Sequence, residues 1–193
     1  MAADPTPVSE TALAEKLRFY ASIKTLETDF HQVKDLRDLG MQMKSEGRLT
    51  LRRPDAVIWE VRKPARVKVE LDSKGIRITS GEGKSATVQT FSSSEMSAQM
   101  QKDKATSSLH DLVAWLKLDA HALSEQYAIT TTGTDARGQS RFVFTPKKPG
   151  PFASMEMELA KAGHLAKLVL NEASGDRMTL EFARPKVVKG SAP

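Results

Sequence analysis

The run Gly47-Arg48-Leu49-Thr50-Leu51-Arg52-Arg53-Pro54-Asp55, leading into Ala56-Val57-Ile58-Trp59-Glu60-Val61, constrains this chain more than any other stretch. Its apolar residues recur with the period of strands, and Arg53-Pro54-Asp55 is turn chemistry. The run therefore reads as two antiparallel strands joined by a tight turn. Leu49 and Leu51 share one face, and Arg53 falls at the end of that same face. A guanidinium stays protonated and needs acceptors when it is buried. Arg53 is thus either an edge residue that snorkels its charge into water or a latch bonded to a neighbouring element, and the residues alone favour the first.

The rest of the chain repeats this grammar. Residues 1–8 are Pro-rich and read as a loose lead. Ser9 suits a helix cap, with Ala12 giving no return bond to it. Leu13, Leu17, Tyr20, Ile23 and Leu26 recur at three or four residues, which predicts an amphipathic helix of about five turns. From Thr25 to Lys34 the period falls to two, through Leu26, Thr28 and Phe30. Strands are then predicted over residues 47–53, 56–62, 66–72, 75–80 and 85–91, separated by short turns.

Residues 92–126 break the strand pattern. Ser92-Ser93-Ser94-Glu95 can open one helix, Ser107 or Ser108 can cap a second, and 119–126 can form a third. Strands resume over 127–132, 140–145, 153–160, 165–172 and 177–182. The layout is about ten strands interrupted by one helical insert.

Composition narrows the function. Apolar residues are 39 % and charged residues 27 % of the chain, which fits a folded domain rather than disorder. The net charge of +5 is spread along the sequence, which argues against a nucleic-acid groove. Without cysteine there is no disulfide scaffold, thiolate zinc site, cysteine nucleophile or lipobox. No run of eighteen apolar residues is present to span a membrane as a helix. The start, Met1-Ala2-Ala3-Asp4-Pro5, has no apolar signal core and looks like a mature start behind an added Met. His31, His110, His121 and His164 lack metal-ligand spacing, and no Gly-x-Ser-x-Gly elbow occurs. Gly81-Glu82-Gly83-Lys84-Ser85 fails as a phosphate loop, because its first glycine would fall at Ile78. The expectation is a protein that is not an enzyme and holds no metal or cofactor.

A long antiparallel sheet must cover its apolar face. A closed barrel could fill with these side chains; a half-closed barrel under helices could keep a groove. The residues by themselves favour the filled core.

The order and spacing of several motifs resemble the periplasmic outer-membrane lipoprotein carrier family, LolA. They are Gly47, Leu49, Leu51, Arg53, Pro54, Trp59 and Pro64, preceded by Lys24-Thr25-Leu26-Glu27-Thr28-Asp29-Phe30-His31-Gln32 and followed by Phe142-Val143-Phe144-Thr145-Pro146-Lys147. The likeness runs over residues 10 to 183. It departs at Ile76-Arg77-Ile78-Thr79-Ser80, where the family has an aromatic strand with a Tyr-Asp-Pro turn, and at the short end after Arg184.

The resemblance implies a mainly β fold with some α: a curved antiparallel half-barrel covered by the N-terminal helix and a central helical lid. It implies one domain over residues 9–188, with 189–193 as a tail. It further implies an acyl-binding groove lined by Leu49, Leu51, Val57, Trp59, Val69, Phe142, Phe144, Met155, Met157, Leu168, Met178 and Leu180. The lid helix would contribute Leu109, Leu112, Val113 and Leu116, with Arg53 as its latch. Methionine, adaptable in shape, suits such a lining. The implied role is a soluble, monomeric periplasmic carrier of acylated lipoproteins, loaded by an inner-membrane release complex and emptied by an outer-membrane acceptor. Two alternatives remain: a lipid-sensing or regulatory domain on the same half-barrel, and a carrier of another lipid.

Overall fold

The computed structural model describes residues 4–95 and 115–190. Twelve strands lie in one antiparallel sheet of order β1-β8-β9-β10-β11-β12-β2-β3-β4-β5-β6-β7. β1 and β7 stand at the two ends of that order and do not pair with each other, so the sheet is open. The chain divides into two compact units: Met1–Ser22, Gln32–Lys44 and Leu118–Ala183 make the first, and Ile23–His31, Ser45–Lys117 and Arg184–Pro193 the second.

In the first unit, β1 (Thr6–Pro7) pairs with β8 (Tyr127–Thr134). Two residues are too few to show a period, so this strand was illegible within the Pro-rich lead. Helix α1 (Glu10–Lys16) is capped by Ser9, whose Oγ accepts the Ala12 N–H at 3.2 Å. A short helix α2 (Arg18–Ala21) follows. The helical spacing that runs on to Leu26 in the sequence stops at Ala21, because β2 (Ile23–Leu36), whose part Ile23–His31 belongs to the second unit, follows. The β-branched Ile23, Thr25 and Thr28 favour extended backbone, and Leu26, Thr28 and Phe30 are buried on alternate positions. Helix α3 (Ala120–Gln126) is capped by Asp119, which accepts the Ala122 N–H at 3.1 Å.

β9 (Ser140–Pro146), β10 (Phe152–Leu159), β11 (Leu165–Glu172) and β12 (Arg177–Lys189) continue the ladder from β8. Tyr20 is buried, and its phenolic oxygen accepts the backbone N–H of Leu165 at the start of β11. That bond and the burial of Leu13 and Leu17 fix the N-terminal helices within this unit.

In the second unit, β3 (Met41–Arg52) from Ser45 onward, β4 (Ala56–Lys63), β5 (Val67–Asp72), β6 (Gly75–Ser80) and β7 (Thr87–Ser92) form a meander of hairpins. After β7, the Ser92 N–H donates to Glu95 Oε2 at 2.8 Å while Ser92 Oγ accepts the Glu95 N–H at 3.4 Å. This reciprocal pair is a capping box and starts a helical turn where Ser92 suggested one.

Candidate apolar binding faces and the Arg53 latch

Register turns the alternation of each strand into rows of touching side chains. In the first unit one row runs Phe142, Met157, Leu168, Leu180 across β9 to β12. The next runs Ile129, Phe144, Met155, Leu170, Met178. All are buried except Met178, which is half-buried. In the second unit, Leu49, Trp59 and Val69 form one row, and Leu51, Val57, Leu71 and Ile76 another. All seven are buried.

Every residue expected to line the groove therefore belongs to one of these rows, five in the second unit and seven in the first. Ile129 and Ile76 complete rows but escaped the sequence reading. Ile129 stands among threonines, and Ile76 sits beside an arginine on a strand that departs from the family pattern. Each fully buried aliphatic or aromatic side chain contributes about 1.5–3 kcal/mol.

One aromatic pair organises the second unit. Phe30 of β2 stacks on Trp59, with ring centroids 3.8 Å apart and planes inclined by 14°. A Cβ on Gly47 would lie 2.7 Å from the Phe30 ring and 1.9 Å from the Glu60 carbonyl oxygen. Gly47 is there because a second backbone and a ring occupy the place of its side chain. On the neighbouring positions, Arg48 Nε donates to Asp29 Oδ1 at 3.1 Å, and Arg184 Nη2 lies 3.0 Å from Asp29 Oδ2. Partial burial pushes the Asp29 carboxyl up. The Arg48 hydrogen bond and the Arg48, Arg184 and Arg62 charges outweigh it and hold the group below its ordinary value.

Arg53 stands at the end of the Leu49–Leu51 face, in the turn between β3 and β4. It is half-buried, and its Nη1 donates to the carbonyl oxygen of Lys117 at 2.9 Å. Its backbone N–H donates to the Lys24 carbonyl at 2.9 Å, which fixes the turn. Asp55, two residues on, accepts the Ser73 N–H at 3.0 Å, and its hydrogen bonds to Ser73 lower its carboxyl pKa. Lys117 closes the segment Trp115-Leu116-Lys117, in which Trp115 and Leu116 are buried. Leu116 is the one expected lid residue that is described; Leu109, Leu112 and Val113 lie outside the described residues, as does His110. Arg52, on the opposite phase, is exposed.

The three described histidines sit apart from these faces. His31 lies 3.8 Å from Glu46, His121 is set between Glu10 and Glu125, and His164 packs near Phe19. Among the described residues, no group of three or more His, Asp or Glu side chains is placed to hold a metal ion. None of their helices is long and apolar enough to cross a membrane.

No curated protein sequence matches this chain. Among solved structures, a chain in the complex of MucA and MucB from Pseudomonas aeruginosa matches with a TM-score of 0.50 at 16 % identity. The match covers 96 % of this chain and 59 % of that one, so this chain spans less than two thirds of its length. A LolA superfamily protein from Nitrosomonas europaea matches with a TM-score of 0.44 at 9 % identity, over 96 % of both chains. The sequence model of the outer membrane lipoprotein carrier protein LolA fits residues 21–192, a span that holds the Phe30–Trp59 stack, Gly47, Arg53 and every row of the two apolar faces. The chain with this open sheet and these faces belongs to the LolA family.

Proposed function

We propose that this protein is a soluble periplasmic carrier that takes up the acyl chains of lipoproteins in an apolar groove and ferries them from the inner towards the outer membrane. The observation that carries the reading is the bond from Arg53 to the Lys117 carbonyl, at the end of the apolar rows of the second unit. Acyl chains are held in a bilayer by about 0.8 kcal/mol per buried methylene. A carrier must match that with apolar area and still let go. Rows such as Leu49–Trp59–Val69 supply the area, and a cover held by hydrogen bonds such as that from Arg53 to the Lys117 carbonyl can be lifted at a cost of a few kcal/mol. Loaded and empty states then differ by only a few kcal/mol, which permits hand-over without an energy source in the protein itself. In this reading Arg53 is the latch, Leu116 belongs to the cover with Leu109, Leu112 and Val113, and the rows line the groove. The chain acts as a monomer without cofactor, receives cargo from an inner-membrane release complex and gives it to an outer-membrane acceptor.

Native mass spectrometry of protein purified from a membrane-containing extract tests this directly. A retained species with the mass of a lipid or lipopeptide is expected, displaceable by a fluorescent acyl probe. A charge at Trp59 or Phe144 should weaken probe binding, because an unpaired buried charge is costly. Unweakened binding by both folded variants would remove these rows from the lining.

A second reading rests on the MucA and MucB complex: the same fold can serve a chain that works against a protein partner. A lipid-sensing regulatory domain would bind the probe but fail to pass cargo to an acceptor, which separates it from the carrier.

A further inference from the structure

β7 stands at one end of the sheet order and, among the described residues, pairs with β6 alone. Its other edge is a row of backbone N–H and C=O groups outside any ladder. An open edge is a template for another extended chain, and folded proteins blunt theirs with short strands, proline, charge or bulges. β1, at the other end of the order, is blunted: it has two residues and lies in the run Pro5-Thr6-Pro7. β7 carries none of these devices. Its six residues, Thr87-Val88-Gln89-Thr90-Phe91-Ser92, include no proline, glycine or charged side chain. They pair with Gly75–Ser80 at six consecutive positions without a bulge.

The edge is exposed, yet held in shape. Thr87, Val88, Gln89 and Thr90 are all exposed, Val88 by 50 %. A Cβ on Gly75 would lie 2.1 Å from the Phe91 carbonyl oxygen, so this glycine lets β7 lie close against the start of β6. The Ser93 N–H donates to the Lys74 carbonyl at 3.0 Å, and the Ser92–Glu95 capping pair closes the end of the strand. A strand fixed in this way loses little freedom when another chain joins it.

The side chains of β7 define the kind of chain that fits. Phe91 stands opposite Ile76 and continues the buried row Leu51–Val57–Leu71–Ile76 as its half-buried last member. Val88 and Thr90 project from the other face of the sheet. An added strand extends both faces when it sets one apolar side chain opposite Phe91 and another opposite Val88. A second copy of this chain fits less well. Residues opposite each other in an antiparallel pair share a face. Pairing most of β7 with itself about a two-fold axis therefore sets Phe91 against Thr87 or Gln89, both polar.

We propose that the open edge of β7 takes up an extended segment of a partner protein as an added antiparallel strand. Backbone hydrogen bonds hold the segment, and apolar side chains opposite Phe91 and Val88, with uncharged ones between them, select it. The inference needs neither the acyl-binding groove nor the Arg53 latch, so it stands or falls apart from the carrier reading.

Solution NMR of the full chain with the peptide acetyl-Lys-Thr-Val-Thr-Thr-Val-Thr-Lys-amide tests it, since the two valines have the spacing of Phe91 and Val88. The peptide should shift the amides of β7 and slow hydrogen exchange at alternate ones, those that point outward, by about tenfold or more. Two N-methylated forms of the peptide, each blocking one alternate set of amides, should differ. The set that faces β7 is needed, so one form should bind about tenfold or more weakly while the other binds like the parent. Val88→Asp and Thr90→Lys put charge on the edge at exposed positions and should each weaken the parent peptide about fivefold or more. Val188→Asp, at an exposed apolar residue of β12, should leave it unchanged. Circular dichroism reports whether each variant keeps its fold. A wild type whose β7 amides ignore the parent peptide overturns the proposal. Equal binding by the two N-methylated forms overturns it as well, because the contact then rests on side chains alone. Sedimentation that shows a wild-type dimer lost in Val88→Asp also overturns it and makes a second copy of this chain the occupant.

Discussion

The Phe30 ring lies flat on the Trp59 indole and reaches into the place where a side chain on Gly47 would stand. Three strands, β2, β3 and β4, are locked by this arrangement, because the ring can lie flat only while β3 carries no Cβ at that point. Gly47→Ala should therefore destabilise the protein by about 2–4 kcal/mol. The added methyl meets the Glu60 carbonyl at 1.9 Å, a backbone atom that cannot swing away as a side chain would. A urea titration measures the loss. A change below about 0.5 kcal/mol would mean the ladder yields more easily than its register suggests.

Tyr20 gives a second measurable contribution. Its phenolic oxygen accepts the Leu165 N–H in a buried setting, and Phe keeps the ring but leaves that N–H without its acceptor. Tyr20→Phe should cost about 1–3 kcal/mol, the usual result of orphaning a buried donor. Hydrogen exchange at Leu165 should accelerate selectively. Unchanged protection there would show that the ring packing alone holds the site.

His121 and His164 should titrate in opposite directions. His121 Nδ1 lies 3.2 Å from Glu10 Oε1, and Nε2 lies 3.6 Å from Glu125 Oε1. The hydrogen bond to Glu10, then the charges of Glu10, Glu125 and Asp119, raise its pKa. The folded state binds this proton more tightly than the unfolded chain. Its stabilisation is full below the ordinary histidine value of about 6.5 and fades as pH rises through the raised one. Burial pulls the pKa of His164 down. Its stabilisation is full above the ordinary value and is lost as pH falls through the lowered one. Proton NMR of the two imidazoles should give midpoints on opposite sides of that of a free histidine. His121→Ala should remove the gain on the acidic side and leave the His164 midpoint in place.

The legible parts of this molecule are those that repeat. Leu49, Leu51, Val57 and Trp59 announce their face by alternation, and Ser9 and Ser92 announce helix starts by hydrogen-bonding chemistry. The stretch Ile23–Leu26 misleads, because a spacing of three continues the helical pattern of Leu13, Leu17 and Tyr20 into the first residues of a strand. Only the β-branched neighbours and the alternation that follows decide it. Phe30 could be read as a core residue, but not as the reason for Gly47, since the two lie on different strands and meet only through register. Which carbonyl accepts from Arg53 was beyond reach for another reason. A backbone carbonyl such as that of Lys117 is the same atom at every position, so no residue type marks it as the acceptor.

That acceptor sets the sharpest test of the latch. Arg53→Leu keeps the apolar phase of the strand and removes the donor to Lys117, while Arg52→Leu changes an exposed residue on the opposite phase. A charge-assisted hydrogen bond at a half-buried site contributes about 1.5–3 kcal/mol. Losing it should raise hydrogen exchange around Trp115–Lys117 and leave exchange in the β9–β11 ladder unchanged. If closure of this segment competes with bound acyl chains, weakening the closed state favours the loaded one by the same free energy. The Arg53→Leu protein should then hold an acyl probe about tenfold more tightly or better and pass its cargo on more slowly. Arg52→Leu should match the wild type in both. Equal defects in the two variants, or wild-type probe affinity and transfer in Arg53→Leu, would leave the Arg53–Lys117 bond as a local support of the β3–β4 turn and nothing more.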